Sequence, residues 1–368
     1  MPVNMGVIAR TILGLLFIFS GFVKGVDPIG TTYKIEDYLA AYGMPWFINF
    51  STILSVGLNL VEFLTGIMLL FNIRIKFTTI IASLMMIFFT ITTIFDATAN
   101  IVPDCGCFGD AIKLSNWQTL YKNLTINLFL LVLWCTVKKI RPTFYTGGEV
   151  GIASFFGILF IAFQIYNLCY LPVIDFRDWK VGNKMTNDEV LPVEYWTVYT
   201  NNESYEDTTM LISDIPYNDS VWMSNWSFKD TKIIDKNVYP HNLMLIDEDG
   251  RDETAAVIGL PEPNLFIVSY SIEEMNLKHW DEIQNIIQYC SDNGYHVSFL
   301  TASEYDVYSQ FVEEHPFDAV FYNADDIELK TMIRSNPGIV AMKDGVVLKK
   351  WHYNNVPEPA DLEILFTK

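Results

Sequence analysis

Motifs that would name an activity outright are scarce in this sequence. It has no phosphate loop, no GxSxG elbow and no tandem repeat. His241, His279, His296, His315 and His352 are scattered without HExxH or paired-ligand spacing, so no metal site is expected. Cysteine is sparse, five in 368 residues, and no two are spaced as CxxC. Cations are few beside acids, 24 Lys and Arg against 43 Asp and Glu, for a net charge of −19. Such an acidic chain repels phosphate backbones, which argues against a nucleic-acid partner. The N-terminal run MPVNMGVIARTILGLLFIFSGFVKG lacks a basic start and a small-x-small cleavage site, so it reads as a retained membrane helix.

Apolar residues, in contrast, make up 51% of the chain and aromatics 15%, more than a soluble domain usually carries. Segments near 48–71, 77–95, 116–137 and 150–172 are long enough to cross a bilayer core of about 30 Å, and a shorter run at 6–23 makes a fifth span. Arg74 and Lys76 flank one connection and Lys138, Lys139 and Arg141 another, which sets both on the cytoplasmic side. Alternation puts residues 24–47, the 96–115 loop and everything beyond about 172 on the opposite side, the periplasm of a bacterium. Charge is sorted along the same division: residues 1–172 carry about +2 and the remainder about −21.

The stretch PDCGCFGD, 103–110, places Cys105 and Cys107 one glycine apart in an outer loop. In an oxidising compartment this spacing reads as a strained, exchangeable redox pair; the other readings are two unrelated loop thiols or one half of a long-range bridge. Cys169, near the outer end of the fifth span, is the candidate third partner, whereas Cys135 and Cys290 read as buried thiols. Glu62 falls near the middle of a span, where a bare charge is costly, and must be neutral, paired or turned to a cavity. It either holds the bundle by an interhelical hydrogen bond or serves a proton-linked or quinone-adjacent role. Arg10 and Asp96 are the other ionisable groups within reach of the membrane. Tyr33, Tyr38, Tyr42 and Trp46, in an amphipathic segment between the first two spans, read as interface anchors.

The run SGFVKGVDPIGTTYKIEDYL, the glutamate in the second span and PDCGCFGDAIKLSNWQTLYKN resemble the DoxX-type and MauE-type (methylamine utilisation) integral membrane proteins over about residues 5–140. The resemblance implies a four-helix membrane bundle with redox-linked duties, here followed by a fifth span. Such bundles are similar to quinone-linked disulfide generators, although this chain has no CxxC at the outer surface. By that similarity Glu62 and Lys24 are the residues expected to meet a quinone, with Cys105, Cys107 and Cys169 the thiols expected to exchange.

Beyond the spans, residues 173–240 read as a β-rich insertion with strands at 194–200 and 208–213. From about 241, strands alternate with helices and end in a hairpin turning at Lys343, Asp344 and Gly345, the pattern of a parallel-cored α/β layer. This part resembles a thioredoxin-like fold, and SNPGIVAMKDGVVLKKW resembles its cis-proline segment, which makes Pro337 the expected cis residue beside a groove for an extended partner chain. Where that fold places CxxC, this chain has SYSIEEMNLKHW.

The expected fold class is therefore an all-α transmembrane bundle followed by a soluble α/β thioredoxin-like domain. The expected divisions are 1–145, the fifth span at 146–172, the insertion at 173–240 and the α/β domain at 241–368. The expected protein sits in a bacterial inner membrane with its C-terminal part periplasmic. It exchanges disulfides or electrons with a periplasmic client, or else is a non-catalytic scaffold that binds one. Passage of a small molecule through the bundle is the weakest reading, because Glu62 alone is mid-membrane and no internal repeat is visible.

Overall fold

The computed structural model describes residues 2–102, 106–187, 194–234 and 239–367. Its first part is helical: α1 (Val3–Val26), α2 (Pro28–Ala41), α3 (Ser51–Leu70), α4 (Ile75–Ala99), α5 (Asn116–Thr136) and α6 (Thr146–Cys169). Five of these, with α3 extended by a 3-10 turn from Pro45 and α5 by one to Lys139, are long and apolar enough to cross a membrane. The sixth, α2, packs mainly on α3 at the end of the bundle where α1 finishes. Asp27 caps it by accepting from the Gly30 N–H at 2.9 Å, with Pro28 at its first position, and this junction turns the chain sharply out of α1.

Glycine sets the tightest seam. A Cβ on Gly66 would lie 2.5 Å from the Ile18 backbone nitrogen, and one on Gly21 would lie 2.7 Å from that of Phe63. The backbones of α1 and α3 therefore touch, the close approach that small residues permit between membrane helices. Seams α1–α5 and α4–α5 are also well packed, whereas α3–α4 is the sparsest of the four. Arg10, one of the polar groups inside the spans, donates to the Leu69 and Leu70 carbonyls at 2.5 and 2.7 Å and so satisfies the C-terminal end of α3.

The second part is α/β. A three-stranded antiparallel sheet, order β2-β1-β3, is formed by β1 (Glu194–Asn201), β2 (Asp207–Leu211) and, after the short α7 (Ser220–Asn225), β3 (Trp226–Ile234). Then follow α8 (Thr254–Ile258), β4 (Asn264–Ser269), α9 (Trp280–Asp292), β5 (His296–Thr301), α10 (Tyr305–Glu314), β6 (Val320–Asn323), α11 (Asp326–Met332), β7 (Gly338–Lys343), β8 (Val346–His352) and α12 (Pro359–Phe366). The main sheet has the order β6-β5-β4-β7-β8, with β4, β5 and β6 parallel and β7 and β8 antiparallel. Central β4 is buried along its whole length: Leu265 and Ile267 face the core with α9 and α12, while Phe266 and Val268 face the core with α11.

Three details differ from the sequence reading. The alternation does not reveal that the stretch after β4 stays irregular and α9 starts only at Trp280, because the Ile272 N–H is donated to Ser303 Oγ and the Asn276 N–H to the Asn336 carbonyl. Trp179 and Met185, from the stretch expected to belong to the insertion, are fully buried in the α/β core. The tail forms α12, whose Leu362 and Phe366 close that core.

Candidate functional site

A cavity of about 1030 Å³ opens among α1, α2, α3, α4, α5, the 106–110 loop and α11. It is at the upper end of the size of ligand sites, about 300–1,000 Å³. Its depth is set by α1 and α3, whose glycine seam brings Lys24 and Glu62 together as a buried ion pair, with side chains 8% and 4% exposed. The Lys24 ammonium also lies 5.5 Å from the centroid of the Phe89 ring. A charge pair at this depth carries a large desolvation cost that its mutual attraction must offset.

Cys107 lines the same cavity. Its carbonyl accepts from Ser20 Oγ at 2.8 Å, and a Gly109 N–H to Gly106 carbonyl bond of 2.9 Å tightens the loop behind it. Gly106 has φ +61°, a backbone that favours glycine. Phe108 anchors the loop between Phe19, 5.4 Å away, and the Lys122 ammonium, 4.4 Å from its ring. Cys105 lies outside the described residues.

The α/β part covers the end of the bundle where α1 meets α2. Arg334 reaches Asp27 through Nη2 at 2.9 Å and Nε at 3.0 Å, and its Nη2 lies 3.3 Å from Asp110 in the CGC loop. Burial pushes the Asp27 carboxyl up, but Arg334, Arg177 and the Gly30 N–H outweigh it and hold the group below the ordinary carboxylate range. Asp110 has the opposite balance: burial raises it, and Arg334 does not fully compensate. Beside the clasp, Lys330 stands over the rings of Tyr33 and Tyr270, 4.9 and 5.5 Å from their centroids. A second tie runs through Lys350, whose Nζ contacts Asp175 at 2.5 Å and the carbonyls of Met332 and Trp179 at 2.8 and 3.1 Å.

Of the residues expected from sequence, the structure therefore joins Cys107, Lys24 and Glu62 at one cavity and leaves Cys169 and Pro337 apart from its wall. Cys169 ends α6, exposed, and its carbonyl accepts from Asn354 Nδ2 at 2.8 Å. Pro337 is buried, and the Asn336–Pro337 peptide is cis. Asn336 ties this segment to the chain leaving β4, donating to the Ser271 carbonyl at 2.7 Å and accepting from Ser269 Oγ at 2.8 Å. Tyr270, Arg334 and Asn354, which flank it, meet the helical part rather than open solvent. Cys290 is fully buried, and burial pushes its thiol up to about 12, the setting of an inert core thiol; Cys135, by contrast, is exposed.

Sequence reasoning missed the clasp. Neither Asp27 nor Arg334 stood out in the sequence, and their separation of 307 positions hid the pairing. Tyr33 and Tyr38, expected as interface anchors, instead line the cavity, with Tyr38 donating to Asp96 at 2.6 Å.

Residues 3–137 match the family described as Methylamine utilisation protein MauE. That match covers α1 through α5 and includes the CGC loop, Lys24 and Glu62, but not α6 or the α/β part. A search of the curated proteins gives no match.

Proposed function

We propose that this multi-pass membrane protein is a thiol–disulfide oxidoreductase of a bacterial inner membrane that passes electrons from periplasmic client dithiols to a lipid-soluble quinone. The observation that carries the reading is the placement of Cys107 in the wall of the cavity that holds the Lys24–Glu62 pair. The MauE match over this part of the chain supports it.

A client thiolate attacks the Cys105–Cys107 disulfide, and a second client thiol resolves the mixed disulfide. One client S–S bond forms, the loop S–S bond breaks, and the loop is left as a dithiol. A quinone held beside Lys24 and Glu62 would supply the oxidising capacity, for two electrons and two protons, that the loop dithiol needs to close again. The cavity fits such a molecule in volume, in its largely apolar wall and in having a cationic donor, Lys24 Nζ, at its depth. Lys24 orients a carbonyl oxygen, and Glu62 fixes the ammonium and offers a site for a proton in transit.

In this reading the C-terminal α/β part is a thioredoxin-like domain without the CxxC pair. Its order of β4, α9, β5, then the cis-proline hairpin β7–β8 and α12 supports that assignment, with α10 and β6 as an addition. It caps the outer end of the cavity, and its groove beside Pro337 receives a client when the cap lifts. Reduced, unfolded client and decylubiquinone are supplied to the full chain in nanodiscs. Quinone reduction that vanishes in Cys105→Ser/Cys107→Ser supports the proposal; unchanged client oxidation and thiol trapping in that variant overturn it.

The buried clasp supports a second reading, a non-catalytic scaffold in which the loop is structural. Cysteine variants then lose abundance, with no mixed disulfide formed.

A further inference from the structure

We infer that the cavity receives its occupant sideways from the bilayer, through a gap between α3 and α4 beneath α2, so its ligand is a chain-bearing molecule dissolved in the membrane. The redox reading supplies the identity of that ligand as a quinone, and the route adds how it arrives.

The outer mouth is the wrong place for a water-borne ligand. There the Arg334–Asp27–Asp110 clasp and the Lys330–Tyr33–Tyr270 stack bring α11 over the cavity, so access from that side requires parting a buried ion pair.

The side toward lipid is built differently. Helix α2 packs along the N-terminal end of α3 and reaches α4 through the Tyr38 side chain. It is pinned to α3 by Ser51 Oγ donating to Glu36 at 2.7 Å and by Ser55 Oγ donating to the Pro28 carbonyl at 2.8 Å. It is pinned to α4 by Tyr38 donating to Asp96. Below it the two helices share a seam sparser than those of α1 with α3, α1 with α5 and α4 with α5. Leu54 on α3 and Phe88 on α4 line the cavity and yet are 38% and 59% exposed, so the wall is open between them. Leu58 on α3 lines the cavity beside them, as does Thr92 on α4, whose hydroxyl is tied back to the Phe88 carbonyl at 3.2 Å. The sill is Thr65 Oγ1 against Met85 Sδ at 3.9 Å, deeper in the membrane. Both jambs are apolar, whereas Lys24, Glu62 and Ser20 lie inside. An amphiphile can therefore slide in from the acyl region and find hydrogen-bonding groups only once inside.

The test uses the full chain in nanodiscs with Phe89→Trp as a reporter in the cavity, on a Cys105→Ser/Cys107→Ser background, so that binding is read without thiol chemistry. Quenching is followed with decylubiquinone and with a sulfonated, water-soluble benzoquinone. Leu54→Phe and Thr92→Phe, made singly, narrow the gap; Ile53→Phe, on the lipid face outside the cavity, is the control, and thermal unfolding confirms that each variant is folded. The expected result is quenching by decylubiquinone that either jamb substitution slows by about tenfold and the control leaves alone, with little quenching by the sulfonated compound. Equal rates in jamb and control variants, faster quenching by the sulfonated quinone, or no quenching by decylubiquinone overturns the route. Quenching that behaves as expected while the intact thiols fail to oxidise a client leaves the route standing and removes the redox reading.

Discussion

Arg334, just before the cis-proline segment of the α/β part, holds Asp27 at the junction of the first two helices in a buried ion pair of 2.9 Å. The same guanidinium reaches Asp110, three residues past Cys107, so one side chain ties together the membrane part, the CGC loop and the cap.

Removing one partner of such a buried pair leaves the other charge stranded, at a cost of about 3–5 kcal/mol. Arg334→Ala is expected to free the α/β part from the bundle and expose the 170–180 connection to protease. Arg334→Lys should rescue only part of the protection, because an ammonium cannot reproduce the forked contact. Limited proteolysis in nanodiscs reads both.

Folding stability should fall on mild acidification, through His352. Burial lowers this imidazole from 6.5 to about 4, and its Nδ1 already accepts from the Asn354 N–H at 3.1 Å. The unfolded chain therefore takes up the proton first, and stability is lost as pH falls from 6.5 toward 4. Asp27, depressed in the fold, keeps its contribution until the pH drops below 3.8. An unfolding midpoint measured against pH should slope across that upper window in the native chain and flatten in His352→Gln.

Lys24 and Glu62 should behave as a unit. Lys24→Met or Glu62→Leu alone strands a partner in an apolar setting and should destabilise the bundle by about 3–5 kcal/mol, whereas Lys24→Met/Glu62→Leu should recover most of the loss. A double-mutant cycle in detergent unfolding checks the coupling. Single and double losses that simply add would show that the two side chains do not interact.

Gly66→Ala should cost more than a glycine-to-alanine change in a helix normally does, since the added methyl would meet the Ile18 backbone at 2.5 Å. Overpacking of about 1–3 kcal/mol is expected, read as a lower midpoint in the same unfolding assay. Gly57→Ala, on the same helix with open space around it, should instead stabilise slightly.

Much of the architecture was legible because it rests on local rules. Runs of apolar residues of bilayer length gave five spans within a few residues of α1, α3, α4, α5 and α6. The strand–helix alternation gave β4 through β8, and Asp344 and Gly345, both at positive φ, form the hairpin turn expected from their residue types. The lone mid-span carboxylate demanded a partner or a cavity, and Glu62 has both. Helix α12 was not read because its apolar positions carry little periodic signal outside the core they complete.

The sequence by itself determined which segments enter the membrane, which side the cations favour and where two thiols stand close along the chain, since hydropathy, charge and spacing act between neighbours. Tertiary structure decided which groups meet. Asp27 and Arg334 are 307 positions apart, and Lys24 and Glu62 are 38. Each pair forms because helix seams and the docking of two bodies bring them together, and the burial that makes an unpaired charge intolerable is itself a product of that packing.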